Sequence, residues 1–207
     1  MDIKLVVFDW SGTVSDDIKP VYETYTRMAE KFKLKVLSFD EWKGAVTVDI
    51  DEFFKNQGIK GDVSRLWKTY EETFDIVSQS TMPTVYPDAN DIFEYLSNKG
   101  KKIAVLSLHP EKNVLKEANA YGLAYFTEKI IGGSLDKSAH LIELCKELGV
   151  SPRNTIFVGD TTFDIHAAKK ADVFSVAITR GYHSRDLLLK SKPDYIISSL
   201  SDLADII

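Results

Sequence analysis

Apolar residues along the chain fall into short unbroken runs separated by stretches of helical periodicity. Lys4–Asp9 (KLVVFD) is such a run and ends in an acid, as a parallel strand buried on both faces does. Lys102–Ser107 (KIAVLS), Lys129–Gly132, Asn154–Gly159 (NTIFVG), Phe174–Thr179 and Asp194–Ile197 predict further strands. Between them, helices are predicted over Asp88–Asn98, Pro110–Tyr121, Lys137–Leu148 and Thr162–Lys170. The third of these carries Leu141, Leu144, Cys145 and Leu148 on one face, the stripe a core-facing helix needs. Strands alternating with helices of this length imply βαβ units and a mainly parallel sheet.

From about Ile18 to Ser80 the texture differs. Val21, Tyr25, Met28, Ala29 and Phe32 recur at helical spacing, Gly44, Gly58 and Gly61 punctuate the stretch, and no strand-like run occurs. The expected architecture is therefore a Rossmann-like α/β core from residues 1–15 and 83–207, its sheet flanked by helices. A small helical domain, residues 16–82, is inserted after the first strand.

The 207 residues exceed a one-domain length prior of about 150, which suits a core with an insertion. Hydrophobic residues at 44% and charged residues at 28% give enough apolar material for that core. Lys and Arg number 26 against 31 Asp and Glu, for a net charge of −5, which counts against a nucleic-acid partner. One cysteine, Cys145, excludes an intramolecular disulfide and a thiol zinc site. The start, Met1-Asp2-Ile3-Lys4-Leu5, is too short and too charged for a signal peptide or membrane span. A cytoplasmic enzyme or binding domain, without a membrane partner, is the expectation. No heptad seam is present, so the sequence sets no oligomeric state.

In open α/β sheets, ligands bind outside the carboxyl ends of the strands. The residues there are Asp9 and Trp10, Ser107 and Leu108, and Gly159 and Asp160. Acids, a hydroxyl and glycine-containing turns thus converge on one sheet edge.

Four segments in order, Phe8-Asp9-Trp10-Ser11-Gly12-Thr13, Val105-Leu106-Ser107, Lys137, and Gly159-Asp160-Thr161-Thr162-Phe163-Asp164, resemble the haloacid dehalogenase superfamily of aspartate-nucleophile hydrolases. The inserted helices match the position of the small cap in its phosphoglycolate-phosphatase-like members, and Arg180-Gly181 follows at a family-like distance. The resemblance implies hydrolysis of a small phosphorylated metabolite. Asp9 would be the nucleophile, forming an aspartyl-phosphate that water cleaves. Mg2+ would be held by Asp9, Asp160 and the backbone carbonyl of Ser11, with Asp164 supporting that shell or holding Lys137. Lys137 would neutralise Asp9 and the transferring group. Ser107 and the backbone N–H groups of Trp10, Ser11 and Leu108 would bind phosphate oxygens, and Thr13 would orient the loop.

The family's phosphatases carry a second Asp where this chain has Ser11, an acid/base worth ~10²–10⁴ in rate. Three readings follow. The chain is a phosphatase, slow or restricted to acyl or aryl phosphates whose leaving groups need no proton. It is a phosphonate-cleaving hydrolase, since phosphonoacetaldehyde hydrolase resembles Asp9–Thr13, although Thr47 stands where that enzyme's lysine would follow Gly44. Or it binds a phosphorylated metabolite without efficient turnover. The first is the main expectation.

Other candidates are assigned mostly structural roles. His109, on the loop after the second core strand, could replace the missing acid, though Pro110 beside it favours a plain turn. His183 could edge the site, and Trp42 either packs the inserted helices or belongs to a specificity loop. Asp16 and Asp17 read as hinge or helix-start acids, Cys145 as core, and His140 and His166 as helix surface.

Overall fold

The computed structural model describes residues 2–47, 50–59 and 63–207; Gly61 lies outside them. In chain order the elements are β1 (Leu5–Phe8), β2 (Ser15–Asp16), α1 (Ile18–Lys31), α2 (Phe39–Ala45), α3 (Ile50–Asn56), α4 (Val63–Val77), β3 (Thr84–Val85) and α5 (Ala89–Asn98). There follow β4 (Lys102–Leu106), α6 (Glu111–Ala120), β5 (Lys129–Ile131), α7 (Lys137–Glu147), β6 (Thr155–Gly159), α8 (Thr162–Lys170), β7 (Phe174–Ile178), α9 (Arg185–Lys190) and β8 (Tyr195–Ile197). The chain divides into two compact units, residues 1–16 with 85–207, and residues 17–84.

The first unit is a Rossmann-like six-stranded sheet in the order β5-β4-β1-β6-β7-β8, each neighbouring pair parallel. β1 is central and fully buried, so its side chains alternate between two cores. Val6 and Phe8 join Phe93 of α5 and Val114 of α6 on one face. Leu5 and Val7 join Leu141 and Cys145 of α7 and Ala168 of α8 on the other. Burial on both faces is why the strand reads as an unbroken apolar run. Phe8 stacks on Phe93 with ring centroids 4.8 Å apart, and burying one such side chain contributes about 1.5–3 kcal/mol.

Two features were not legible. β2 and β3, two residues each, pair as a separate ribbon and are too short to leave a periodic signal. α9 occupies six residues between the expected last two strands. Ser184 caps it by accepting the Leu187 N–H at 3.3 Å.

The second unit is helical. α1 buries Tyr25, Met28 and Ala29, and Trp42 of α2 is 1% exposed. Trp42 lies 5.2 Å from Tyr22, 5.9 Å from Phe39 and 6.3 Å from Tyr25, centroid to centroid, so its ring is aromatic core. Among the described residues, no helix is long and apolar enough to cross a membrane.

Candidate active site

The sheet order sets the site. β4, β1 and β6 are adjacent, so the residues leaving their carboxyl ends, Ser107, Asp9 and Asp160, are neighbours across two parallel ladders. The Asp9 N–H still donates to the Val158 carbonyl at 2.8 Å, and the Ser107 N–H to Ile131 at 2.9 Å. Both candidate side chains are thus rooted in the rigid sheet. The N–H of His109 donates to the Ser107 hydroxyl oxygen at 3.2 Å, which leaves that hydroxyl's proton available to another acceptor.

Asp9, Asp160 and Asp164 form one buried group whose carboxylate oxygens lie within 4.8 Å of one another. Lys137 reaches into it, donating to Asp9 at 2.7 Å and to Asp164 at 2.6 Å. Its position follows from the helix start. Asp136 caps α7 by accepting the Ser138 and Ala139 N–H groups at 3.1 and 3.2 Å, which places Lys137 first in the helix. Asp164 is fixed equally firmly, its second oxygen accepting the Thr161 N–H at 3.0 Å and hydroxyl at 2.5 Å in a capping box.

The electrostatics are those of like charges forced together. Burial pushes Asp9 up, Lys137 pulls it back and Asp164 pushes it further, leaving it at about 6. Burial, then Asp9 and Asp164, raise Asp160 well above the ordinary carboxylate range. Burial alone would lower Lys137, but Asp164 and Asp9 outweigh it and raise the ammonium. One ammonium against three carboxylates leaves an excess of negative charge. An all-oxygen donor set with that excess fits a small hard divalent cation such as Mg2+.

The loop after Asp9 is tight. The Trp10 carbonyl accepts the N–H groups of Thr13, Val14 and Ser15 at 3.2, 2.8 and 2.9 Å, and Gly12 donates to Ser15 at 2.9 Å. Gly12 has φ +71°, and a Cβ there would meet Asp160 Oδ2 at 2.5 Å; this turn passes directly against the acid. Ser11 is half-buried within the loop. Thr13 is fully buried and its hydroxyl donates to Asp160 Oδ1 at 3.2 Å. Leu108 is half-buried beside Ser107.

Asp160 has further partners, of which the sequence pattern singled out His183 but not Tyr182. The Tyr182 N–H donates to its Oδ2 at 2.6 Å, and the His183 N–H to its carbonyl at 3.3 Å. A Cβ on Gly181 would collide with the same carboxylate. Arg180 donates to the Thr13 carbonyl at 2.6 Å and to both oxygens of Asp88 at 2.6 and 2.8 Å. The spacing of Arg180-Gly181 and the loop position of His183 were the signals for this segment, and neither named a contact.

The remaining histidines divide. His183 is buried and its Nδ1 accepts the Thr162 N–H at 3.0 Å, capping α8 beside Asp160. His109 is buried with Nε2 3.8 Å from Glu117 Oε1. His166 is exposed, whereas His140 is half-buried with Nδ1 2.8 Å from the Ser134 hydroxyl. Asp16 is exposed in β2, and Asp17 precedes α1, buried, without a side-chain cap bond.

A model of the haloacid dehalogenase-like hydrolases matches residues 6–178. The phosphoglycolate phosphatase of Pasteurella multocida (strain Pm70) is 30% identical over 131 residues, covering 61% of this chain and 58% of that protein. The phosphoglycolate phosphatase of Vibrio parahaemolyticus is 26% identical over 220 residues, covering 100% of this chain and 96% of that one. The chain thus spans little more than half of the first relative and nearly all of the second. In fold, it superimposes on a crystal structure of a predicted phosphoglycolate phosphatase from Haemophilus somnus 129pt with a TM-score of 0.84, at 24% identity and over 100% of this chain and 98% of that one. With the family match running from β1 through β7 and therefore across every strand end described above, the chain belongs to the haloacid dehalogenase-like hydrolases.

Proposed function

We propose that this chain is a Mg2+-dependent phosphatase acting on a small phosphorylated metabolite through an aspartyl-phosphate on Asp9. The observation that carries the reading is the buried group of Asp9, Asp160 and Asp164 bridged by Lys137. Full-length similarity to a protein named phosphoglycolate phosphatase supports it and makes phosphoglycolate the first ester to test. The helical unit, residues 17–84, is read as the cap that selects the substrate, and the cytoplasm as its compartment.

In this mechanism an Asp9 carboxylate oxygen bonds to phosphorus as the bond to the leaving oxygen breaks. Lys137, held by Asp164, offsets the charge gathering on Asp9 and the phosphoryl group. The Ser107 hydroxyl and the N–H groups of Trp10, Ser11 and Leu108 bind the equatorial oxygens. Mg2+, held by Asp9, Asp160 and the Ser11 carbonyl, would supply charge neutralisation between carboxylate and phosphate. Water then attacks phosphorus, freeing inorganic phosphate and restoring Asp9, with its proton passing to solvent. Ser11 is neither an adequate acid nor a base near pH 7, so leaving groups that depart as stable anions are favoured.

The test is a screen of phosphoglycolate, other alkyl phosphates, aryl and acyl phosphates and phosphonoacetaldehyde, with and without Mg2+. Turnover of phosphates that stops with chelator is expected. Full rates in chelator, cleavage of the phosphonate alone, or tight binding without turnover would overturn the reading.

A further inference from the structure

Against the nucleophile loop lies a half-buried carboxylate that the mechanism above does not use. Glu117, on α6, accepts the Trp10 indole N–H at 2.7 Å and the Ser15 hydroxyl at 2.8 Å, both on Oε2. Trp10 and Ser15 are fully buried and mark the two ends of the turn that follows Asp9. Tyr121, one helical turn further on, stacks on Trp10 with centroids 5.9 Å apart and an interplanar angle of 11°. Its hydroxyl lies 3.3 Å from that of Ser15. The other Glu117 oxygen faces Nε2 of buried His109 at 3.8 Å, and it is the backbone N–H of His109 that donates to the Ser107 hydroxyl oxygen.

One side chain is therefore hydrogen-bonded to both ends of the turn after Asp9 and lies beside the His109 ring of the Ser107 loop. A buried indole N–H needs only some acceptor, and a neutral one suffices. A carboxylate here is an expensive choice, because burial pushes Glu117 upward against the pull of Trp10 and Ser15. What the turn uses is one oxygen that takes two donors, one from each of its ends.

We propose that Glu117 is a positioning residue of the phosphoryl-transfer reaction. It fixes the loop after Asp9 through Trp10 and Ser15. It touches no reacting atom. The proposal rests on the phosphatase reading, and its consequence is that misplacing the loop slows the chemical step more than it weakens binding.

The experiment compares the wild type with Glu117→Ala, Glu117→Gln, Trp10→Phe and the Glu117→Ala/Trp10→Phe pair on an aryl phosphate with Mg2+, alongside melting curves. Glu117→Ala and Trp10→Phe should each lower kcat about tenfold or more with KM nearly unchanged. The pair should be no slower than the worse single variant, because both remove one bond. Glu117→Gln should recover most of the rate, since its amide oxygen accepts the same two donors. Trp10→Phe keeps the stacked ring, so it serves if Glu117→Ala does not fold. Unchanged kcat in the single variants, effects that multiply in the pair, or a Gln variant as slow as Ala would overturn the positioning role while leaving the phosphatase reading intact. A wild type inert toward every phosphate would overturn both.

Discussion

The two units bury polar groups to opposite ends. In the helical unit, the buried Thr24 hydroxyl donates to the Pro20 carbonyl one turn back at 2.8 Å, satisfying a group of its own helix. Besides buried Asp17 and Thr69, the rest of that interior is dominated by rings such as Trp42, Phe53 and Phe54. In the α/β unit, the buried polar groups Asp9, Thr13, Asp160 and Asp164 come from two segments far apart in the chain, 9–13 and 160–164, and meet one another. Like-charged carboxylates held together lower stability unless something compensates. Lys137 compensates in part, and the remaining imbalance is what the proposed Mg2+ would offset.

This contrast can be broken at either end. The largest effect is expected for Asp9→Asn, since an amide is neither a nucleophile nor an anionic donor. Turnover should fall by about 10⁴-fold or more while the melting temperature holds or rises as one buried charge disappears. Wild-type rates in this variant would remove the α/β unit's claim to the chemistry.

Trp42→Ala tests the other side. Deleting a buried Trp should cost about 3–5 kcal/mol, read by denaturant unfolding, with Mg2+ affinity unchanged. Altered Mg2+ affinity without lost stability would show that the helical interior is more than packing.

A smaller effect concerns Asp88, which anchors Arg180 against the nucleophile loop. Burial pushes its carboxyl up, but the Ser199 hydroxyl, Arg180 and the Leu200 N–H together hold it below the usual range. A group whose folded pKa is depressed contributes stability above its unfolded pKa of about 3.9 and loses it as pH falls through the folded value. Asp88→Asn should therefore destabilise by about 2 kcal/mol at pH 7, with the gap to wild type closing below about pH 4. A gap independent of pH would mean that shape, not charge, holds this corner.

The smallest effect is a gain. Ser11→Asp should speed alkyl phosphate hydrolysis by ~10-fold or more and aryl phosphates less, with Mg2+ affinity measured alongside because the new charge adjoins Asp9. Equal gains for both, or none, would show that Ser11 is not an eroded acid/base position.

How much of this was readable beforehand follows from the same contrast. β1, β4 and β6 announce themselves because burial on both faces demands continuous apolar residues, and an acid or hydroxyl immediately after such a run stands out. Asp9, Ser107 and Asp160 were therefore visible as strand-end candidates, and Lys137 and Asp164 only through the ordered motifs. Glu117 was not, because a Glu on an amphipathic helix looks solvated until its partner 107 positions away is known. The Tyr182 contact with Asp160 is likewise invisible, since a backbone N–H has no residue signature. In the helical unit, periodicity gave helices but could not choose between packing and specificity for Trp42; the ring contacts decide that.

The central claim is a covalent phosphoryl group on Asp9. Acid-quenching the enzyme during turnover of an aryl phosphate, reducing with borohydride and mapping the peptides by mass spectrometry tests it directly. An acyl phosphate reduces to the alcohol, so conversion of Asp9 to homoserine is the predicted result. Steady turnover with Asp9 unmodified, or with the modification on another residue, would contradict the account.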